Sequence, residues 1–108
     1  MKILFYKDQK GRDHFSNWLL KLKDQQTEFR IRDRIDRIEE YGFLGDWKRI
    51  DERICELRFH FGSGYRIYFS ILDSQTILML CGGDKSSQSK DINKAKQYLE
   101  DYQNDSQN

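Results

Sequence analysis

Hydrophobic residues recur at helical spacing in three stretches of the chain, and each stretch predicts one amphipathic helix. The three stripes are Phe15, Trp18, Leu19 and Leu22; then Ile31, Ile35 and Ile38; and finally Ile92, Ala95, Tyr98 and Leu99. Residues three, four and seven apart lie on one face of an α-helix, so each stripe can be buried as a unit. We expect the second helix to begin near Thr27, a candidate N-cap, and to end at Gly42. Ser86 or Ser87 is expected to cap the last helix.

Between the second and third helical stretches the hydrophobic period changes to two. Apolar residues alternate with polar ones on both sides of Gly62-Ser63-Gly64: Cys55, Leu57, Phe59 and Phe61 before it, and Tyr65, Ile67, Phe69 and Ile71 after it. This pattern predicts a β-hairpin with a glycine-bearing turn. The continuous apolar run Ile77–Cys81 is typical of a strand that is covered on both faces. Lys2 to Tyr6 reads as a further short strand.

The predicted order is one strand, two helices, three or four antiparallel strands and one helix. We therefore expect an α+β fold, in which a twisted, mainly antiparallel sheet packs against an N-terminal helical hairpin and a C-terminal helix. A chain of 108 residues suits one domain. We assign that domain to residues 1–102 and expect residues 103–108 to form a polar, frayed tail.

Composition narrows the possible classes of function. The chain is 34% charged but carries a formal net charge of only +1, so any basic binding site must be local.

No apolar run approaches the roughly 20 residues that span a bilayer, and none resembles a secretory signal, so we expect a cytoplasmic protein with no membrane partner. Cys55 and Cys81 are expected to be reduced core thiols, and the scarcity of histidine argues against a metal site.

The alternation also predicts which side chains share the polar face of the hairpin. A three-residue turn places Phe61 opposite Tyr65, His60 opposite Arg66 and Arg58 opposite Tyr68. One face then presents Glu56, Arg58, His60, Arg66 and Tyr68. Arginine binds phosphate, histidine transfers protons near neutral pH, and tyrosine can stack on a base. The alternative is a half-solvated sheet face without a ligand.

Two further features leave alternatives open. The second helix carries Arg30, Arg32, Arg34 and Arg37, which form either a basic stripe for RNA or, as we favour, a solvated face with i, i+4 ion pairs to Glu28 and Asp33. The strand ending at Cys81 continues into Gly82 and Gly83, which permit unusual backbone angles or the close approach of a ligand. Lys85 would lie beside the polar face.

Several segments together resemble the addiction-module killer proteins, the HigB-like branch of the RelE/ParE toxin superfamily. They are Glu56-Leu57-Arg58, Gly62 to Tyr68, and Leu80 to Gln88, with upstream matches at Phe15 to Leu19 and Arg34 to Ile38. The resemblance covers nearly all of residues 1–100. It implies a RelE-like β-α-α-β-β-β(-β)-α fold and a toxin neutralised by a helix-turn-helix antitoxin.

The resemblance also implies a chemistry. RelE-like toxins cleave mRNA on the ribosome without metal or cofactor, through attack by the adjacent 2′-hydroxyl. Arg66 matches the phosphate-stabilising arginine of the family, and Lys85 approximately matches a cation near the leaving group. We expect His60 to act as the base, from the hairpin register, and Arg58, Tyr68 and Lys90 to contact RNA or its phosphates.

The sequence departs from RelE at two places, and the target is open. Cys55 and Glu56 stand where RelE has lysines, and Asp91 and Ile92 lie near the position of its helical tyrosine. The expected partners are the antitoxin and the ribosome with bound mRNA. The alternatives are a toxin of the same fold that poisons DNA gyrase, and a non-toxic binding module.

Overall fold

The computed structural model describes residues 1–106, which form five strands and three helices. The strands are β1 (Lys2–Phe5), β2 (Trp47–Arg49), β3 (Cys55–Arg58), β4 (Arg66–Asp73) and β5 (Thr76–Gly83). The helices are α1 (His14–Leu20), α2 (Gln25–Tyr41) and α3 (Gln88–Ser106), and a single 3₁₀ turn, Lys85–Ser87, precedes α3. None of these helices is long and apolar enough to cross a membrane.

The strands form one mixed sheet in the order β1-β5-β4-β3-β2. β1 pairs with β5 in parallel, and every other neighbouring pair is antiparallel. The parallel pair requires a crossover connection, which α1, α2 and the following strands provide. The predicted α+β class with a mainly antiparallel sheet is therefore confirmed.

Helices cover both faces of this sheet. On one face, buried residues of α1 and α2 pack against the apolar side of the hairpin, including Phe15, Ile31, Leu57, Ile67 and Phe69. On the other face, Ala95 and Leu99 of α3 pack against Tyr68, Leu78 and Leu80. The run Ile77–Cys81 is buried throughout, which confirms the prediction of a strand covered on both sides. Cys55 and Cys81 lie on the strands that flank β4, and they belong to opposite faces of the sheet.

Helix ends follow capping groups that differ in part from the expected ones. α2 begins earlier than predicted because Asp24, rather than Thr27, accepts a hydrogen bond from the Gln26 backbone N–H at 3.0 Å. Its predicted end at Gly42 is confirmed, and this glycine adopts a left-handed φ of 71°. Asp84, rather than a serine, caps the turn before α3. Residues 103–106 continue α3, and the remaining two residues of the expected tail lie outside the described residues.

The hairpin register differs from the prediction by two residues. Arg58 pairs with Arg66, Leu57 with Ile67 and Glu56 with Tyr68. The ladder ends with the Phe59 backbone N–H donating to the Tyr65 carbonyl at 3.0 Å, so residues 60–64 form a five-residue loop. Within it Gly64 donates to the Phe61 carbonyl at 3.1 Å. The placements of His60 opposite Arg66 and of Arg58 opposite Tyr68 were therefore wrong.

Candidate functional site

The structure places His60, Arg66 and Lys85 around one cleft of about 340 Å³. We call it the hairpin cleft; Phe59, Ser63 and the two glycines of the hairpin loop complete its lining. The three side chains come from the loop after β3, the start of β4 and the turn after β5. They converge because the hairpin loop folds over toward the Lys85 turn, where the Lys85 N–H and the Ser63 carbonyl oxygen are 3.5 Å apart.

Arg66 is mostly buried and its guanidinium is held on two sides. Its Nε lies 3.2 Å from Oε1 of Glu56, and its Nη1 donates to the Tyr65 carbonyl at 3.1 Å. The side chain is 10% exposed, so only a small part of the guanidinium is accessible from the cleft. This fixed orientation suits a group that must present its donors to one anion rather than search for it.

Glu56 lies beneath two arginines that neighbour each other across β3 and β4. Its Oε1 is 3.1 Å from the Nε of Arg58 and 3.2 Å from that of Arg66, while its Oε2 accepts a hydrogen bond from Gln88 of α3 at 3.3 Å. Glu56 is 1% exposed, which contradicts the alternative of a half-solvated sheet face at this residue. One carboxylate against two guanidinium groups leaves a net positive charge at the base of the cleft. Arg58 is partly exposed but is not among the residues that line the cleft.

Lys85 is exposed and lies directly over the hairpin loop. A side chain added at Gly64 would touch the Cβ of Lys85 at 3.5 Å and the Nη1 of Arg66 at 3.9 Å, which shows how closely the two cations flank this glycine. Within residues 1–106 no carboxylate lies within ion-pairing distance of the Lys85 ammonium group. Its charge is therefore available to a ligand.

Nε2 of His60 is hydrogen-bonded to the carboxylate of Asp46, which directly precedes β2. The Asp46 carbonyl accepts hydrogen bonds from the Arg58 backbone N–H at 3.0 Å and from Nη2 of Arg34 at 2.5 Å, so the carboxylate is anchored beside the loop. The hydrogen bond with His60 is the main cause that holds the pKa of Asp46 below its usual range. An imidazole next to a carboxylate can accept and return a proton near neutral pH.

Two arginines of α2 position the hairpin loop, and the sequence patterns did not single them out. The guanidinium of Arg34 lies 4.5 Å from the ring centroid of Phe59, and that of Arg30 lies 4.8 Å from the ring of Phe61. Arg34 also donates to the carbonyls of Leu44, Asp46 and Arg58. The favoured interpretation as a solvated face holds for Arg32 and Arg37, which form the predicted i, i+4 ion pairs, but not for Arg34. The i, i+4 spacing of Arg30 and Arg34 was the available signal.

Tyr68 does not reach the cleft. It is fully buried between the sheet and α3, and its hydroxyl group has no hydrogen-bond partner among the described residues. Burial raises the pKa of this phenol above its ordinary value. The ring therefore has no free face on which a base could stack, so we no longer assign it an RNA contact.

Lys90 lies in a different cleft, of about 360 Å³, between α1 and the first half of α3. We call this the α1–α3 cleft; Gly82 and Gly83 line it. Neither glycine has a positive φ, and the reason for both is close packing: a Cβ at Gly82 would overlap the indole of Trp18, and one at Gly83 would overlap the carboxylate of Asp91. The expected unusual backbone angles are therefore absent at this pair.

Within residues 1–106 no group of three His, Cys, Asp or Glu side chains is arranged to hold a metal ion. Burial raises the pKa of the Cys81 thiol to about 12, and it also raises that of Cys55. Neither thiol is therefore a ready nucleophile, since the thiolate is the reactive form.

Comparison with known proteins shows similarity to a described family and to a bacterial relative. The family model described as "Phage derived protein Gp49-like (DUF891)" matches residues 17–100, which include β2 to β5 and most of α3. An uncharacterized protein of Haemophilus influenzae is 44% identical over 82 residues, which cover 76% of this chain and 82% of the relative. The range matched by the family model, residues 17–100, contains His60, Arg66, Lys85 and Lys90.

Proposed function

The chain belongs to the Gp49-like family of phage-derived proteins, a family of toxin–antitoxin toxins, and from this premise we propose that it is a ribosome-dependent mRNA endonuclease of the HigB-like branch. Membership of a toxin–antitoxin family implies an antitoxin partner. We propose that this partner carries a helix-turn-helix domain and that the toxin acts in the cytoplasm, where it meets ribosomes with bound mRNA.

The observation that carries the proposal is the convergence of His60, Arg66 and Lys85 on the hairpin cleft. Cleavage of RNA by its own 2′-hydroxyl needs a base for that hydroxyl, cations for the charge that develops on the phosphorane, and an acid for the leaving oxygen. These three side chains supply one group for each task, and none of them requires a metal.

In the proposed reaction the 2′-oxygen forms a bond to phosphorus and the bond from phosphorus to the 5′-oxygen breaks. His60, supported by Asp46, takes the proton of the 2′-hydroxyl. Arg66, oriented by Glu56, binds a nonbridging phosphate oxygen, with Arg58, which shares the Glu56 carboxylate, as a second cation nearby. Lys85 donates a proton to the leaving 5′-oxygen. The products are a 2′,3′-cyclic phosphate and a free 5′-hydroxyl.

Primer extension on mRNA from a ribosome-containing translation reaction tests this proposal. The protein should create new 5′ ends at codon-defined positions. Lys85→Ala and His60→Ala should each lower the cleavage rate by about 10²-fold or more, because each removes a group that acts in the transition state. Lys23→Ala, which removes an exposed lysine between α1 and α2, is the matched control and should cleave at the normal rate.

Arg66→Ala should abolish both cleavage and growth arrest. Because Arg66 is buried and paired with Glu56, circular dichroism must show that the variant is folded before its activity is interpreted. A folded Arg66→Ala protein that still arrests growth would remove Arg66 from the site. If no new 5′ ends appear and DNA supercoiling stalls instead, the target is gyrase and the proposal is wrong.

A further inference from the structure

The α1–α3 cleft is separate from the hairpin cleft, and its lining combines aromatic rings with free cations. Its walls include Trp18 and His14 of α1 and Tyr98 of α3, and Lys90 and Lys94 stand at its α3 side. The volume of about 360 Å³ lies at the lower end of the range for small-molecule pockets. None of the reaction steps proposed above uses this cleft.

The aromatic walls are held in place by the fold. The His14 and Tyr98 rings stack with centroids 4.6 Å apart and planes inclined by 14°, and Nε2 of His14 lies 2.9 Å from Oδ2 of Asp8. The six-membered ring of the Trp18 indole lies against Gly82, where any side chain would displace it. Rigid rings at a cleft wall can receive a nucleobase without a further entropic cost of ordering.

The lining carries two carboxylates, Asp84 and Asp91, and two lysines that form no ion pair with them. Asp91 is 7% exposed and accepts a hydrogen bond from the Ser87 hydroxyl at 2.5 Å, and Asp84 accepts from the Ser86 backbone N–H at 2.9 Å. Both carboxylates are thus engaged in the turn before α3. Lys90 and Lys94 have no ion-pair partner in the part of the chain that the structure describes. Being four residues apart on α3, they lie on one face of the helix.

We infer that the α1–α3 cleft binds a nucleoside monophosphate unit, with the base against the aromatic wall and the phosphate at Lys90 and Lys94. The same chemistry has two sources, a free nucleotide or one residue of an RNA chain. Only the RNA source rests on the proposed function; it would make this cleft a second contact for the strand.

The test uses Trp18 as the reporter. The chain has two tryptophans, so Trp47→Phe leaves Trp18 as the only one. Adenosine 5′-monophosphate should change the emission of Trp18 with saturation, whereas adenosine alone and inorganic phosphate should bind more weakly. In this background Lys90→Ala combined with Lys94→Ala should weaken binding of the nucleotide about tenfold or more. Lys96→Ala, on the same helix but facing Asp51 at 3.5 Å, is the matched control and should not change it.

A second measurement needs no substitution. In the unmodified protein, amide chemical shifts of Gly82, Gly83 and Lys90 should move on addition of adenosine 5′-monophosphate. A short single-stranded oligoribonucleotide that binds more tightly than the mononucleotide through the same two lysines identifies RNA as the source, and equal affinities identify the free nucleotide. A linear, unsaturable emission change together with unmoved amide shifts would overturn the inference.

Failure of this inference and failure of the proposed nuclease are distinguishable. Lys85→Ala should lose cleavage yet titrate normally with the nucleotide, because Lys85 lines only the hairpin cleft. Conversely, a protein that cleaves no mRNA can still show the saturable change at Trp18. An unchanged titration in the Lys90→Ala, Lys94→Ala double variant would contradict the placement of the phosphate.

Discussion

The ionised Asp8 side chain accepts four hydrogen bonds from its neighbours. The Arg12 backbone N–H donates to its Oδ1 at 3.0 Å and is the main cause that holds the pKa of Asp8 well below its usual range. The Arg12 side chain, His14 and the Lys10 backbone add to this effect. The loop before α1 is therefore organised around one negative charge, next to the histidine of the α1–α3 cleft.

Asp8→Asn should lower stability in a pH-dependent way. A carboxylate whose folded pKa is depressed stabilises the fold above its unfolded pKa of about 4, and this contribution is lost as the pH falls toward the folded pKa. The difference in the free energy of unfolding between the variant and the normal protein should be largest near pH 7 and should shrink below about pH 4. Urea denaturation from pH 7 to pH 2 measures it. A difference that stays constant over this range would contradict the assignment.

Gly83 is required because the Asp91 carboxylate occupies the space of its missing side chain. Gly83→Ala should destabilise the protein by about 1–3 kcal/mol, the usual cost of overpacking. The cost should be smaller when Asp91→Ala is present as well, because that change removes the overlapping atoms. A thermodynamic double-mutant cycle measures the coupling, and additive effects would show that the two sites do not interact.

At the scale of elements, α2 serves as the anchor for two loops. Arg34 is half-buried, and its pKa is lowered mainly by burial; it donates to the Leu44 carbonyl at 2.9 Å and also to the carbonyls of Asp46 and Arg58. One side chain thus joins the helix to the loop before β2 and to the end of β3. The positions of Asp46 and His60 depend on this connection.

Arg34→Met should lower the free energy of unfolding by about 2–4 kcal/mol, because several carbonyls lose their donors while the apolar stem is kept. Amide hydrogen exchange should become faster at Asp46 and His60 than in the rest of the sheet. Arg37→Met, an exposed residue of the same helix with one ion pair to Asp33, is the matched control and should change stability by less than about 1 kcal/mol. Equal effects of the two variants would contradict the anchoring role.

The elements themselves could be predicted from the sequence where the hydrophobic pattern is long. The period-2 alternation predicted β3 and β4, and the continuous apolar run predicted the buried strand β5. The residue that caps the turn before α3 was harder to predict, because Asp84, Ser86 and Ser87 are all good N-caps. The sequence could not show which carbonyls Arg34 binds, since they lie 10 to 24 residues away in the chain.

At the scale of the whole molecule, the sheet separates two cores that contain one cysteine each. Cys55 packs among residues of α1 and α2, and Cys81 packs beneath α3. Each thiol is buried, and burial raises the pKa of both. Because β4 stands between their strands, the two sulfurs cannot meet without unfolding of the sheet.

Both thiols should therefore react with a disulfide reagent such as Ellman's reagent only after the fold opens. At pH 8 the thiols of the native protein should react slowly, at a rate limited by opening of the fold. In 6 M guanidinium the protein should rapidly release two equivalents of thionitrobenzoate per chain. Addition of a reductant should leave the thermal midpoint unchanged. Rapid reaction of one thiol in native conditions would show that one of the two cores opens by itself.

The net charge of +1 also takes its meaning from the whole molecule. The carboxylates of Glu28 and Asp33 pair with arginines of α2 away from the clefts. Lys85, Lys90 and Lys94 have no such partners among the described residues and lie along the two clefts. A nearly neutral protein can therefore present local cations to a phosphate.

The period of the hydrophobic pattern was enough to predict the class of fold and the faces of the strands, and the residue types show which side chains carry charge. The sequence could not determine the hairpin register, because a slip by two residues leaves every side chain on its original face. Only the tertiary structure decided that Arg58 pairs with Arg66, that His60 therefore lies in a loop beside Asp46, and that α3 covers Tyr68. The physical reason is that packing of α2 and α3 on opposite faces of the sheet selects one register among those that the alternation permits.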